Sequence, residues 1–361
     1  MYLRFKNDIL KKSFKKIIDE TFDNKSNWNY YTSKARGFHY NPMDSIESSR
    51  KFLKDFIILS GKAEGILYNE IDKLKDRATH VVSAFFTGHY IYENTHFKTS
   101  IDHEIKKLVE KFNVKSDVGF SFVWFLTCLF HDLGYKIEDS KPKTFKSFKD
   151  LETSLSQKLP ENNGIPKFYN LIYKNYFTFR IKQHDKNDHG IVAAHLLYDS
   201  LCTIREFTER NPSESYKNLC WEKQLLDVYN FCAWNILGHN MWFGSKCKPE
   251  DVNQYSKFKI KRLLLKCNQI KLKLKDHPFF FFFCLVDTIE PYKKVLDYDS
   301  LDKVFLEIED YKIKISTDLK CSCGQEIIKQ ATSLNNWLIP ANKKPNGSVI
   351  INLKMQLCPK K

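Results

Sequence analysis

The chain's densest stretch of potential chemistry is Val123-Trp124-Phe125-Leu126-Thr127-Cys128-Leu129-Phe130-His131-Asp132-Leu133-Gly134-Tyr135. An apolar helix runs into adjacent His131 and Asp132 and is expected to stop at Gly134, which would set an imidazole and a carboxylate at the end of a buried helix. That pairing suits a divalent first-row ion such as Mn, Fe, Ni or Zn better than the all-oxygen cage that Mg or Ca prefers, with Mg kept as an alternative. A His-Asp pair by itself says little, since His184-Asp185 is a second one in a polar stretch. Context comes from two other helices. His80 lies in Ala78-Thr79-His80-Val81-Val82-Ser83-Ala84-Phe85-Phe86 and Asp287 in Phe283-Cys284-Leu285-Val286-Asp287-Thr288. Each puts one ligand-type side chain on an otherwise apolar face, where an uncompensated imidazole or carboxylate is costly to bury.

The order His80, His131-Asp132, Asp287 resembles the HD superfamily of metal-dependent phosphohydrolases, over about Asp76 to Pro291. The resemblance implies an HD-type helical bundle with these four residues as metal ligands. Asp188-His189-Gly190-Ile191-Val192-Ala193-Ala194-His195 and Ala233-Trp234-Asn235-Ile236-Leu237-Gly238-His239-Asn240 are similar to the helices that complete two-metal variants, adding His189 and His239. In such a set Asp132 would bridge two ions about 3.5–4 Å apart. The HD-GYP subgroup carries a lysine directly after HD-x-G; here that position is Tyr135, so the cyclic-di-GMP substrate of that subgroup does not carry over.

The implied reaction is phosphoester hydrolysis by a metal-activated water, with Asp132 at its centre. His195 and His89 are candidates to protonate the leaving oxygen. On an ideal helix His195 falls about 600° from His189 and His89 about 900° from His80, so neither shares a ligand's face. Arg77 and Lys186, each three residues before an expected ligand, are candidate phosphate contacts.

The elements that must hold these residues follow from the apolar spacing. From Ile9 to Tyr292 apolar residues recur every three or four positions, as in Leu67, Ile71, Leu74 and in Ile191, Ala194, Leu197, Leu201, which predicts helices throughout. After Asp297, Val304–Ile308 and Tyr311–Ile315 flank Glu309-Asp310, and Ser348–Leu353 is rich in β-branched residues, predicting strands. The expected architecture is mainly α: a helical extension over 1–60, a metal-binding helical domain over 61–297 and a small β-containing segment over 298–361.

Composition narrows the function classes. With 42% hydrophobic and 15% aromatic residues in 361, the chain is not intrinsically disordered. A net charge of +15 favours an anionic partner, either a nucleotide or phosphoester substrate or nucleic acid. Lys257-Phe258-Lys259-Ile260-Lys261-Arg262, continuing to Lys271-Leu272-Lys273-Leu274-Lys275, is either a track for a phosphate backbone or the wet face of packed elements. Trp28, Tyr30, Tyr31, Phe38 and Tyr40 either stack on bases or cap a helical core. The most apolar run, Phe279–Val286, is far short of the roughly 20 residues a membrane span needs. No apolar leader opens the sequence, and ten scattered cysteines form no disulfide framework, so a reducing, cytoplasmic setting is expected. Cys321-Ser322-Cys323 lacks the second pair a zinc knuckle requires. Self-association is compatible with all of this.

The expected function is a metal-dependent phosphohydrolase acting on a nucleotide or related phosphoester. A nuclease or cyclic-oligonucleotide phosphodiesterase would use the same metal site. A protein that keeps the helical shell as a non-catalytic ligand sensor or interaction module is the rival from another class.

Overall fold

Among the described residues the first helix begins where Ser13 caps it. The Ser13 hydroxyl accepts from Lys16 N at 3.2 Å, so Phe14–Asp23 (α1) starts there, and Leu10–Ser13 just before it is extended. The computed structural model describes residues 10–28, 38–59, 67, 71, 74, 77–115, 117–138, 140–210, 224–241, 249–264, 272–295, 297–309, 311–336, 338 and 341–353. After α1 the principal helices are Ile46–Leu59 (α2), Ala78–Asn94 (α3), Phe97–Lys111 (α4), Phe120–Cys128 (α5), Tyr169–His184 (α6), His189–Arg210 (α7), Leu225–His239 (α8), Pro278–Ile289 (α9), Tyr292–Val295 (α10) and Ser322–Ser333 (α11).

Helices α3, α5, α8 and α9 are buried along nearly their whole length. A helix apolar on all sides must be enclosed by others, and these four form the centre: α5 packs on α3 and α8, and α9 packs on α3, α4 and α8. Trp28 and Phe38 are buried and pack on Phe52 and Phe56 of α2, which makes them core; Tyr30 and Tyr31 lie outside the described residues. Of the basic run, Lys257 ends a helix and Lys261–Leu263 form a 3-10 turn, while Lys271 lies outside the described residues.

One antiparallel sheet is present among the described residues, in the order β1-β2-β3-β5-β4, formed by Leu10–Ser13 (β1), Val304–Glu309 (β2), Lys312–Thr317 (β3), Ala341–Lys343 (β4) and Val349–Asn352 (β5). The expected hairpin around Glu309-Asp310 is β2–β3, with Glu309 opposite Lys312. Two features depart from expectation. Leu10–Ser13, placed in an all-helical stretch by its spacing, is a strand paired with β2, Leu10 opposite Ile308 and Ser13 opposite Phe305. The C-terminal segment also contains α11, whose buried Ile327, Ile328 and Ala331 give it an apolar face beside β3, β4 and β5. Cys321 and Cys323 are joined in a disulfide at the start of α11, and among the described residues the free cysteines 128, 202, 232 and 284 are buried. Among the described residues no helix is long and apolar enough to cross a membrane.

His89 shows how tightly α3 is enclosed. It is fully buried between Phe85 and Phe120, and neither ring nitrogen has a hydrogen-bond partner among the described residues. Burial pushes its pKa down to about 3, so the folded ring stays neutral where an unfolded one, near 6.5, takes a proton. Stability contributed by this group is therefore lost as pH falls from about 6.5 towards 3, with a slope of about 1.4 kcal/mol per pH unit. His89→Leu should flatten the acid limb by one proton, measured by urea melts at pH 7, 5.5 and 4.5; an unchanged slope would show that the ring finds a partner.

Candidate metal centre

Four helix ends and one turn converge at the core. The helix carrying the apolar approach ends at Cys128, not at Gly134, and His131 and Asp132 occupy the turns that follow before helix resumes at Tyr135. Gly134 has no positive φ, so it is not a left-handed helix stop. Its role is close approach: a Cβ there would lie 2.1 Å from His189 O. Asp188 caps α7 by accepting from Ile191 N at 3.0 Å and holds Asn240 Nδ2 at 2.7 Å, which fixes His189 at the helix start against the end of α8. Gly190 permits that contact, since a Cβ there would be 3.1 Å from His239 Cε1.

His80, His131, Asp132, His189, His239 and Asp287 are all buried. One ligand atom each from His80, His131 and Asp132 lies within 4.8 Å of the others, and the same holds for Asp132, His189 and His239. Asp132 is common to both groups. Asp287 Oδ1 lies 3.2 Å from His80 Nε2 and 3.4 Å from His131 Nε2, and Asp132 Oδ1 lies 3.3 Å from His131 Nε2. Asp132 reaches His80 Nε2 and His189 Nε2 at 3.8 Å each. Metal–ligand bonds of about 2.0–2.2 Å put neighbouring ligand atoms about 2.8–3.6 Å apart in tetrahedral or octahedral geometry. The three shorter edges already have that spacing, and the two longer ones exceed it slightly.

The imidazoles share one orientation. Nδ1–H of His131 donates to Cys128 O at 2.7 Å and that of His239 to Ile236 O at 2.5 Å. Nδ1–H of His80 donates to Glu290 Oε2 at 2.5 Å and that of His189 to Glu138 Oε2 at 2.7 Å. A carbonyl or carboxylate can only accept, so a proton sits on Nδ1 and Nε2 is the nitrogen turned inward in all four rings; at His80, Nε2 also donates to Asp287 Oδ1 at 3.2 Å, a proton that a metal ion would replace. His131 Nε2 is buried with no hydrogen-bond partner among the described residues. A buried lone pair left this way, in a set of imidazoles and carboxylates, fits a divalent first-row cation.

The electrostatics agree. Burial opposes ionisation of Asp132, but His131, His80 and His189 hold its carboxyl below the usual range. Burial likewise opposes Asp287, and Lys293, His131 and His80 hold it well below. At His80 burial disfavours charge, yet Glu290 and Asp287 push the pKa up to about 9; a field that favours a proton there also favours a metal ion. Burial, reinforced by His131 and His189, pushes His239 down to about 3 and keeps it neutral.

Other expected residues lie differently. His195 joins neither group: Nδ1–H is given to Ile191 O at 2.9 Å, the ring packs beside Phe148 and Tyr173, and burial pushes its pKa down to about 4. A neutral ring so placed is a poor proton donor to a leaving group. The Arg77 guanidinium sits 4.2 Å from the centre of the Tyr135 ring, which stacks on His189 at 4.0 Å. His184 ends α6, and Asp185 caps it in a left-handed conformation and pairs with Lys143, so the second His-Asp pair is not part of the centre.

Three residues went unnoticed in the sequence. Glu290 orients His80 and also accepts from Ser83; its place three residues after Asp287, one helical turn on, was the available signal. Glu138 orients His189 and pairs with Arg180, and Lys293 Nζ donates to Asp287 Oδ1 at 3.1 Å; nothing in their local sequence marks either one. Loss of a carboxylate that orients a ligating histidine typically costs about 10- to 100-fold in metal affinity. Glu290→Gln should weaken metal binding by about that factor, read by calorimetric titration of the stripped protein; unchanged affinity would remove Glu290 from the centre.

Comparison with models of protein families, with curated proteins and with solved structures finds no match in any of the three.

Proposed function

We propose that the chain is an HD-type metal-dependent phosphohydrolase acting on a nucleotide or related phosphoester. Two divalent first-row ions would be held, one by His80, His131, Asp132 and Asp287 and the other by Asp132, His189 and His239. The observation that carries this reading is the set of four buried imidazoles whose Nδ1 protons are all committed outward while Nε2 faces the shared Asp132. When bound, such ions would acidify a water and draw charge from phosphoryl oxygens.

The chain's own residues do the positioning. Glu290 and Glu138 orient His80 and His189 and keep them basic. Asp132 and Asp287 stay ionised although buried. Arg77, the residue before α3 and one turn before His80, is held against the Tyr135 ring that stacks on His189 and offers a permanent positive charge to an anionic substrate. The net charge of +15 draws polyanions towards the protein as a whole.

A nuclease or cyclic-oligonucleotide activity at the same centre is the second reading, favoured by an open depression at the end of α6 lined by Lys143, Lys146 and Lys182, with Asp185 paired to Lys143, seven residues before His189 in sequence at its nearest lysine. The deciding assay is turnover by the Mn-loaded chain on nucleoside mono-, di- and triphosphates, a chromogenic phosphodiester and short oligonucleotides. Phosphate or nucleotide release that stops with chelator supports the phosphohydrolase, and cleavage of oligonucleotides alone supports the second reading. Metal-independent ligand binding without turnover would move the protein to the non-catalytic sensor class.

A further inference from the structure

Lys293, on α10, reaches back to the centre. Its Nζ donates to Asp287 Oδ1 at 3.1 Å, the same oxygen that His80 Nε2 and His131 Nε2 approach at 3.2 and 3.4 Å. Among the described residues no other Lys or Arg pairs with either Asp132 or Asp287. A cation in this position steadies the ionised Asp287 while no ion is bound, but repels an ion that Asp287 engages, so its pairing with Asp287 suits the resting state alone. The side chain is 17% exposed where that of Asp132 is 4%, which places the lysine on the solvent side of the ligand set. Arg77, one turn before His80, lies over the Tyr135 ring, which stacks on His189.

We propose that Lys293 is the residue that receives the non-bridging phosphate oxygens of the substrate, with Asp287 Oδ1 as its resting partner. The inference rests on the metal-centre reading above. Once Asp287 engages an ion, its oxygen is a weaker acceptor for the ammonium, and the four-carbon stem lets Nζ turn to a phosphate oxygen close by. An ammonium–phosphate hydrogen bond is charge-assisted at both ends, which makes it one of the stronger contacts available to this class of ligand.

The test uses the full chain stripped with chelator, titrated first with Mn(II) and then, Mn-loaded, with inorganic phosphate. Lys293→Met should bind Mn with the same stoichiometry and equal or higher affinity, because a repelling charge is gone, while phosphate binding weakens about tenfold or more. Lys293→Arg should recover most of the phosphate affinity. If the methionine variant does not fold, Lys293→Gln, which keeps a hydrogen bond to Asp287, carries the same expectations. Unchanged phosphate affinity with Mn bound overturns the proposal, and so does loss of Mn in the variant, which would make Lys293 a support for Asp287. A wild-type chain that takes up no Mn overturns the metal centre itself, an outcome distinct from both.

Discussion

Asp132→Ala is expected to abolish metal retention and hydrolysis together. Asp132 belongs to both ligand groups and has three imidazole nitrogens within 3.8 Å of its carboxylate. Removing it leaves four inward-facing imidazoles with Asp287 as the remaining inner carboxylate, and a shared ligand should cost more than the roughly 100-fold at the upper end for an outer partner. The fold is at risk too, since breaking a buried charge network by removing one partner destabilises by about 3–5 kcal/mol. Asp132→Asn keeps the shape and separates the two effects: it should fold as wild type by circular dichroism and still lose most bound metal by elemental analysis. Normal metal content in both variants would take Asp132 out of the centre.

Gly134→Ala is expected to act almost as strongly, and through the backbone. The added Cβ would lie 2.1 Å from His189 O and 2.7 Å from His189 Cα. These are main-chain atoms at the start of α7 and cannot step aside as a flexible side chain does. The turn carrying Asp132 and the helix carrying His189 must separate, at a cost of about 1–3 kcal/mol or more for overpacking. His80 and Asp287 stand on other elements and should keep their places, whereas His131 and Asp132 move with the turn away from His189. The variant should therefore melt at a lower temperature and hold fewer ions than wild type, the loss falling on the half of the centre built by His189 and His239. Wild-type melting and metal content would show that the turn and α7 are not in contact.

What the sequence revealed, and what it hid, has a physical pattern. His131-Asp132 and Asp287 stand out because they interrupt runs of apolar residues, and such an interruption is visible locally. The helices α3, α5, α8 and α9 are legible for the same reason, and so are β2 and β3. Gly134 was misleading because a glycine after a helix has two explanations, a left-handed cap and a close approach, and only the tertiary neighbour, His189, decides between them. Leu10–Ser13 was hidden because its strand character depends on a partner some 300 residues away, Val304–Glu309; four residues with two lysines carry no alternation of their own. The outer partners Glu138 and Lys293 were hidden because they act through hydrogen bonds between elements, and spacing along one element does not report such bonds; Glu290, three residues after Asp287, was within reach of spacing but its partner His80 was not.

The central claim is that four histidines and two aspartates form one centre for two ions. Elemental analysis of the chain purified without chelator, repeated after reconstitution with Mn(II), tests it most directly. Two first-row ions per chain, lost together in Asp132→Ala, are the predicted result. No metal as purified and none after reconstitution would contradict the account at its root.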